Sequence, residues 1–151
     1  MAISVQRFQN RLQSLLQGNK IEEIVQKIVL SDEERLKERK EWEFTRGLRP
    51  NNTKIGKYRD AEYAFFKQAI NPLGDGYVDL LLTRSFLNKM RLQPDVKREF
   101  IFNSSDPKQD KLLGMYGLDI LKINQKWFEE RQTQIYKFRL TFEINKYLRN
   151  A

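Results

Sequence analysis

Asn124-Gln125-Lys126-Trp127-Phe128-Glu129-Glu130-Arg131-Gln132-Thr133-Gln134-Ile135-Tyr136-Lys137-Phe138-Arg139-Leu140-Thr141-Phe142-Glu143-Ile144-Asn145-Lys146-Tyr147-Leu148-Arg149 decides how this chain ends, and with it the fold class. Tyr136, Phe138, Leu140, Phe142 and Ile144 alternate with Lys137, Arg139, Thr141 and Glu143, which is the period of a strand. On a helical wheel the same residues cover almost every direction. The ends speak for a helix: Asn124 suits an N-cap, Glu129 and Glu130 lie near the start, and Lys146 and Arg149 fall in the final turn. Those charges complement a helix macrodipole. A helix apolar on several faces is buried on several faces, for instance between its own domain and a neighbouring subunit. We read a long closing helix, with a strand over 136–144 as the alternative.

Upstream, Arg98-Glu99-Phe100-Ile101-Phe102 reads as a strand closed by the turn Asn103-Ser104-Ser105-Asp106-Pro107. Tyr77-Val78-Asp79-Leu80-Leu81-Leu82 reads as another, entered from the turn-rich Asn71-Pro72-Leu73-Gly74-Asp75-Gly76. The stretch from Asp60 to Ile70, with Tyr63, Phe66, Ala69 and Ile70, fits a short helix or an extended segment. Arg49-Pro50-Asn51-Asn52 breaks the pattern as a turn or loop. Before it the chain is helical. Val5, Phe8, Leu12, Leu15 and Leu16 recur at helical spacing behind Ser4 as N-cap, and Ile21, Ile24, Val25, Ile28 and Val29 repeat the stripe after Gly18-Asn19. Ser31-Asp32-Glu33-Glu34 matches a capping box and opens a third helix on which Leu36 is the only apolar residue from 31 to 41. Such a helix is solvated, or it lies against another chain through ion pairs. The expected class is α+β: residues 1–47 form a helical N-terminal arm, and 48–151 form a mixed body with a small sheet of short strands and the closing helix.

The 151 residues suit one ordinary domain, and ten Phe, six Tyr and two Trp supply a core. With no cysteine there is no disulfide scaffold, thiolate site or cysteine nucleophile. With no histidine the commonest general base and metal ligand are missing too. The 28 basic against 20 acidic residues give +8, spread thinly, with 8 against 4 in residues 111–151. A dedicated nucleic-acid reader more often shows a dense basic stripe. The first residues carry no apolar leader and no apolar run approaches a membrane span, so the expectation is a soluble chain made in a cytosol.

No motif amounts to a catalytic constellation. Asp75 and Asp79 are four apart, but one sits in a Gly-Asp-Gly turn and the other at a strand position. Asp106 and Asp110 flank a polar loop without the ligand density of a calcium site. Ser105-Asp106-Pro107-Lys108 matches the serine–lysine spacing, yet a turn supplies neither the helix start nor the desolvated lysine that chemistry needs. Gly74-x-Gly76 is too short for a phosphate cradle, and Gly114-Met115-Tyr116-Gly117 is a lone G-x-x-G without the flanking helices of a KH domain. The expectation is no enzyme, no cofactor and no metal.

The order of signals from residue 55 onward is more informative. Ile55-Gly56-Lys57-Tyr58 leads through Lys67 and Asn71-Pro72 to Val78-Asp79-Leu80-Leu81-Leu82-Thr83-Arg84-Ser85-Phe86. Phe100-Ile101-Phe102, a polar loop, Tyr116-Gly117-Leu118-Asp119-Ile120-Leu121-Lys122-Ile123-Asn124 and the closing segment come next. This resembles the small virion-morphogenesis or tail-completion proteins of tailed bacteriophages, found at the neck or upper tail. Leu82-Thr83-Arg84-Ser85-Phe86 matches their leucine-threonine-glycine-x-hydrophobic element, with Arg84 where glycine is expected. The resemblance covers roughly the last 95 residues. It implies a non-enzymatic virion protein of a neck, tail or head–tail connector, assembled in the host cytoplasm. Such a protein is a homo-oligomeric ring that docks to other neck, tail or portal proteins, with DNA nearby but no sequence-specific reading and no membrane. Candidate contact residues are Glu33, Glu34, Arg39 and Glu43 on the mixed-charge helix, setting register through ion pairs. Trp127, Phe128, Ile135, Phe138 and Phe142 on the closing helix would serve core or interface. The alternative is a small basic nucleic-acid-binding protein, recognised by a steep salt dependence.

Overall fold

The last helix begins at Gln125 and runs to Arg149 with one irregularity, so the closing segment is helical and not a strand over 136–144. The computed structural model describes residues 5–81, 84–94 and 99–150; the N-cap expected at Ser4, and Leu82, Thr83 and Arg98 of the expected strands and turn, lie outside them. The fold is α+β: mostly helical, with a small two-stranded antiparallel sheet and the long C-terminal helix. The chain divides into two units, Met1–Asp32 with Trp127–Ala151, and Glu33–Lys126. This differs from the expected boundary at residue 47. The first two helices pack with the chain's end, and the third belongs with its middle.

In the first unit, α1 (Val5–Gln17) and α2 (Lys20–Ser31) pack with α8 (Lys137–Arg149), which comes after α7 (Gln125–Arg131) and a π turn, Gln132–Tyr136. Ile24, Ile28 and Val29 of α2 and Leu15 of α1 are buried; Ile24 and Ile28, at i and i+4, share one helix face, and Val29 widens the stripe by the next position round. The expected capping box at Ser31 is not used: the Ser31 hydroxyl donates back to the Ile28 carbonyl at 2.6 Å. Asp32, the next residue, is buried and accepts from Arg131 Nε at 2.7 Å, Arg131 Nη2 at 2.9 Å and the Tyr136 hydroxyl at 2.6 Å. The π turn explains how Arg131 and Tyr136 reach one carboxylate. In an α-helix, residues five apart stand about 140° apart around the axis. An i→i+5 turn stacks them on one side.

In the second unit, the core gathers Leu36 and Phe44 of α3 (Glu33–Thr45), Ile55, Val78, and Phe86 and Leu87 of α5 (Ser85–Asn88). Met90 and Leu92 of β1 (Met90–Pro94), Phe102 of β2 (Phe100–Ser104), and Ile120 and Leu121 of a 3₁₀ turn, Leu118–Leu121, complete it. The strands pair Met90 with Ser104, Leu92 with Phe102 and Pro94 with Phe100. Met90, Leu92 and Phe102 therefore face the core, while Arg91 and Gln93 face out. The strand expected from Tyr77 is reduced to one bridge, Lys57 to Tyr77. From Val78 to Leu81 the backbone is irregular, anchored at the buried Asp79. Asp60 to Ile70 resolves as α4 (Ala61–Ile70), whose N-cap Asp60 accepts from the Tyr63 amide at 2.8 Å. α6 (Gln109–Tyr116) completes the unit.

Two of the left-handed backbone positions are constrained. Gly47 has φ +64°, and a Cβ there would stand 2.8 Å from the Val78 carbonyl oxygen, so glycine is required. Arg84 has φ +57°. The left-handed backbone that a glycine would suit is present at that position, held by a residue that resists it.

Candidate functional site

α3 is not the solvated helix its composition suggests. Leu36, Lys40, Glu43 and Phe44 are all buried. Lys40 Nζ donates to Glu43 at 2.8 Å and to the Lys122 carbonyl, while Arg39 Nε lies 3.3 Å from the other Glu43 oxygen. Burial pushes the Lys40 amine below its ordinary value, and Glu43 opposes that shift. Glu43 was expected to face a neighbouring chain. It is instead fully buried and committed inside its own unit. Glu33 faces Arg91 at 3.6 Å and accepts from the Leu92 amide, Glu41 pairs with Arg84, and Glu34 is exposed. The acids of α3 thus largely hold their own unit together.

A second buried pair lines the irregular stretch after Tyr77. Lys67 Nζ lies 2.5 Å from Asp79, whose other oxygen accepts from Asn71 Nδ2 at 2.8 Å. The Tyr58 hydroxyl accepts the Asp79 amide at 3.1 Å, and burial raises its own titration to about 12. Asp75, four residues before Asp79, sits exposed in a left-handed turn position. Near Ser105, it is Asp106 that is engaged. It accepts from the Ser85 hydroxyl and the Lys108 amide, contacts that hold its carboxyl below the usual range, the Ser85 bond most of all. Among the described residues no group of three or more acidic side chains could hold a metal ion, and no helix is long and apolar enough to cross a membrane. The polar clusters are closed: no buried side-chain nitrogen or oxygen among them lacks a hydrogen-bond partner.

The surface is less complete. Tyr136 is buried and Leu140, Ile144, Tyr147 and Leu148 are half-buried on the packed side of α8. Residues two apart on a helix stand about 200° apart, so Phe138 and Phe142 point the other way. They are 71% and 66% exposed. Their exposed charged neighbours, Lys137, Arg139, Lys146 and Arg149, are all cations, and Glu143 is half-buried. Of the other residues named on this helix, Trp127, Phe128 and Ile135 are half-buried. The Phe128 ring centroid lies 5.7 Å from that of Tyr136, and the Arg131 guanidinium 5.3 Å from the Trp127 ring.

One further face escaped the sequence reading, and one stripe that was read is left largely uncovered. On α4, Glu62, Phe65, Phe66, Ala69 and Ile70 occupy i, i+3, i+4, i+7 and i+8 and are all exposed, Phe65 at 77%. On α1, Val5 and Leu16 are 73% and 72% exposed, so its apolar stripe is covered chiefly at Leu15. The signal for α4 lay in that spacing, which the uncertain type of the segment hid. A third patch is polar: Arg39 and Arg46 each lie 4.3 Å from the Trp42 ring centre, and Lys54 Nζ lies 4.8 Å from that of Tyr77. Comparison with protein-family models, curated proteins and solved structures finds no match to this chain.

Proposed function

We propose that this chain is a structural protein of a tailed-phage virion, of the neck, tail-completion or head–tail connector kind, that works by self-association and by docking to other virion proteins. The observation carrying the contact role is the outer face of α8, where two large aromatic side chains stand in solvent opposite a packed face. Large apolar surface left uncovered on a folded chain marks an interaction site. The same condition on α4 and α1 supports more than one contact per subunit, as assembly into a closed ring requires. The virion placement is supported by the order of sequence signals from residue 55 and by the left-handed backbone at Arg84, where the resembling proteins carry glycine. Negative-stain imaging of the concentrated protein, alone and with co-purifying neck or tail proteins, tests the reading. Ring-shaped multimers or a stable complex are the expected result, and isolated monomers in both preparations would refute it.

A second reading, nucleic-acid binding, is favoured by one feature. Arg46, Lys54 and Lys57 lie beside Trp42 and Tyr77, with no carboxylate in ion-pair reach among the described residues. That reading predicts affinity for DNA or RNA that falls steeply with salt. A gel-shift series without binding at low salt removes it.

A further inference from the structure

We propose that the contact between copies is heterologous and pairs two helices: the outer face of α8 in one copy packs antiparallel against the outer face of α4 in the next. The inference rests on the self-association reading and names its surfaces. Both faces are exposed in the single chain, so each awaits an occupant. They match in charge. The exposed ionic groups of α8 are Lys137, Arg139, Lys146 and Arg149, whereas the outer stripe of α4 carries Glu62, its one cation Lys67 being buried on Asp79. Two α8 faces meeting each other would bring like charges together across the contact, which disfavours a symmetric pairing.

The faces also match in order and length. Along α4 the stripe runs acid, aromatic, aliphatic, through Glu62, Phe65 with Phe66, and Ile70. Along α8 it runs aromatic, aromatic, cation, through Phe138, Phe142 and Lys146. Laid antiparallel, Glu62 meets Lys146, Phe65 and Phe66 meet Phe142, and Ile70 meets Phe138. Glu62 to Ile70 and Phe138 to Lys146 both span eight residues, a rise of about 12 Å on each helix, so all three contacts form in one register. A parallel arrangement would put Glu62 against Phe138 and strand Lys146 against Ile70. Because the two surfaces differ, each copy uses one of each, and repetition generates a ring where the rotation closes.

A charge swap tests the register. Sedimentation velocity over a concentration series is run on the wild type, Glu62→Lys, Lys146→Glu and the double variant, with Phe65→Ala as a further probe. All three positions are exposed, and thermal unfolding by circular dichroism checks that each variant folds. Each single reversal is expected to weaken association by about tenfold or more, since it places like charges face to face. Phe65→Ala is expected to weaken it comparably, and the double reversal to return within about threefold of the wild type. A wild type that associates while the reversals and Phe65→Ala leave it unchanged overturns this contact and leaves self-association standing. Reversals that weaken association without recovery in the double variant overturn the Glu62–Lys146 register. A wild type that stays monomeric at every concentration overturns both the contact and the self-association it rests on.

Discussion

Tyr136→Phe removes one hydroxyl and leaves the ring, which makes it a clean probe of the buried carboxylate in the first unit. Asp32 keeps both Arg131 donors, so the loss is one charge-assisted hydrogen bond of 2.6 Å and no orphaned group. Bonds to charged partners contribute about 1.5–3 kcal/mol, and the lower half of that range applies where two donors remain, giving a cost of about 2 kcal/mol. Asp32→Ala should cost more, about 3–5 kcal/mol, because it strands a half-desolvated guanidinium and a buried hydroxyl. In the Asp32→Ala background the Tyr136→Phe change should then cost under about 0.5 kcal/mol, since the acceptor is gone. Urea unfolding followed by circular dichroism measures all four states. The pH dependence supplies a second readout. Burial, reinforced by the hydrogen bond to Asp32, raises the Tyr136 phenol above its ordinary value of 10.0. The folded state therefore keeps that proton longer than the unfolded state, and the stability it confers is complete below pH 10 and lost as pH climbs beyond it. Tyr136→Phe should flatten that decline. Equal costs for Tyr136→Phe with and without Asp32 would refute the argument, because the hydroxyl would then stabilise the fold through a partner other than that carboxylate.

Gly47→Ala combines left-handed strain with a 2.8 Å approach to the Val78 carbonyl, and thermal unfolding should show a loss of about 2–4 kcal/mol. Arg84→Gly and Arg84→Ala both lose the exposed pair with Glu41, so their difference isolates the backbone. The glycine variant should be the more stable by about 0.5–1 kcal/mol in denaturant titration. Lys40→Met leaves Glu43 buried without its nearest cation and should cost about 3–5 kcal/mol, while Lys40→Met with Glu43→Leu should recover much of it in the same assay.

The closing helix was legible because its charges suit a macrodipole, Glu129 and Glu130 at one end and Lys146 and Arg149 at the other, although the alternation of Tyr136 to Ile144 imitates a strand. The buried stripe of α2 was legible from period, and the strand around Phe100-Ile101-Phe102 from a short apolar run closed by turn residues. Tyr77 to Leu81 misled because a buried irregular segment is as apolar as a strand. Within it Asp79 pairs with Lys67, twelve positions away, a contact that no local pattern reports. β1 was missed since Met90–Pro94 begins one residue after a four-residue helix and ends at a proline. α3 looked solvated because its buried charges are satisfied one by one, Lys40 by Glu43 and the Lys122 carbonyl, a partner eighty-two positions away. Of the candidate contact residues, Phe138 and Phe142 are on the surface as a docking role needs, Glu43 is not, and the α4 face was overlooked.

Light scattering on the wild type and on Phe138→Ser with Phe142→Ser tests the central claim, that the outer face of α8 is a contact surface between copies. Both positions lie in solvent in the single chain, so the double variant should fold as the wild type does. The wild type should give a molar mass that is a multiple of 18.2 kDa and grows with concentration to a fixed limit, and the variant should remain at 18.2 kDa. Equal masses for the two proteins at every concentration would contradict the account.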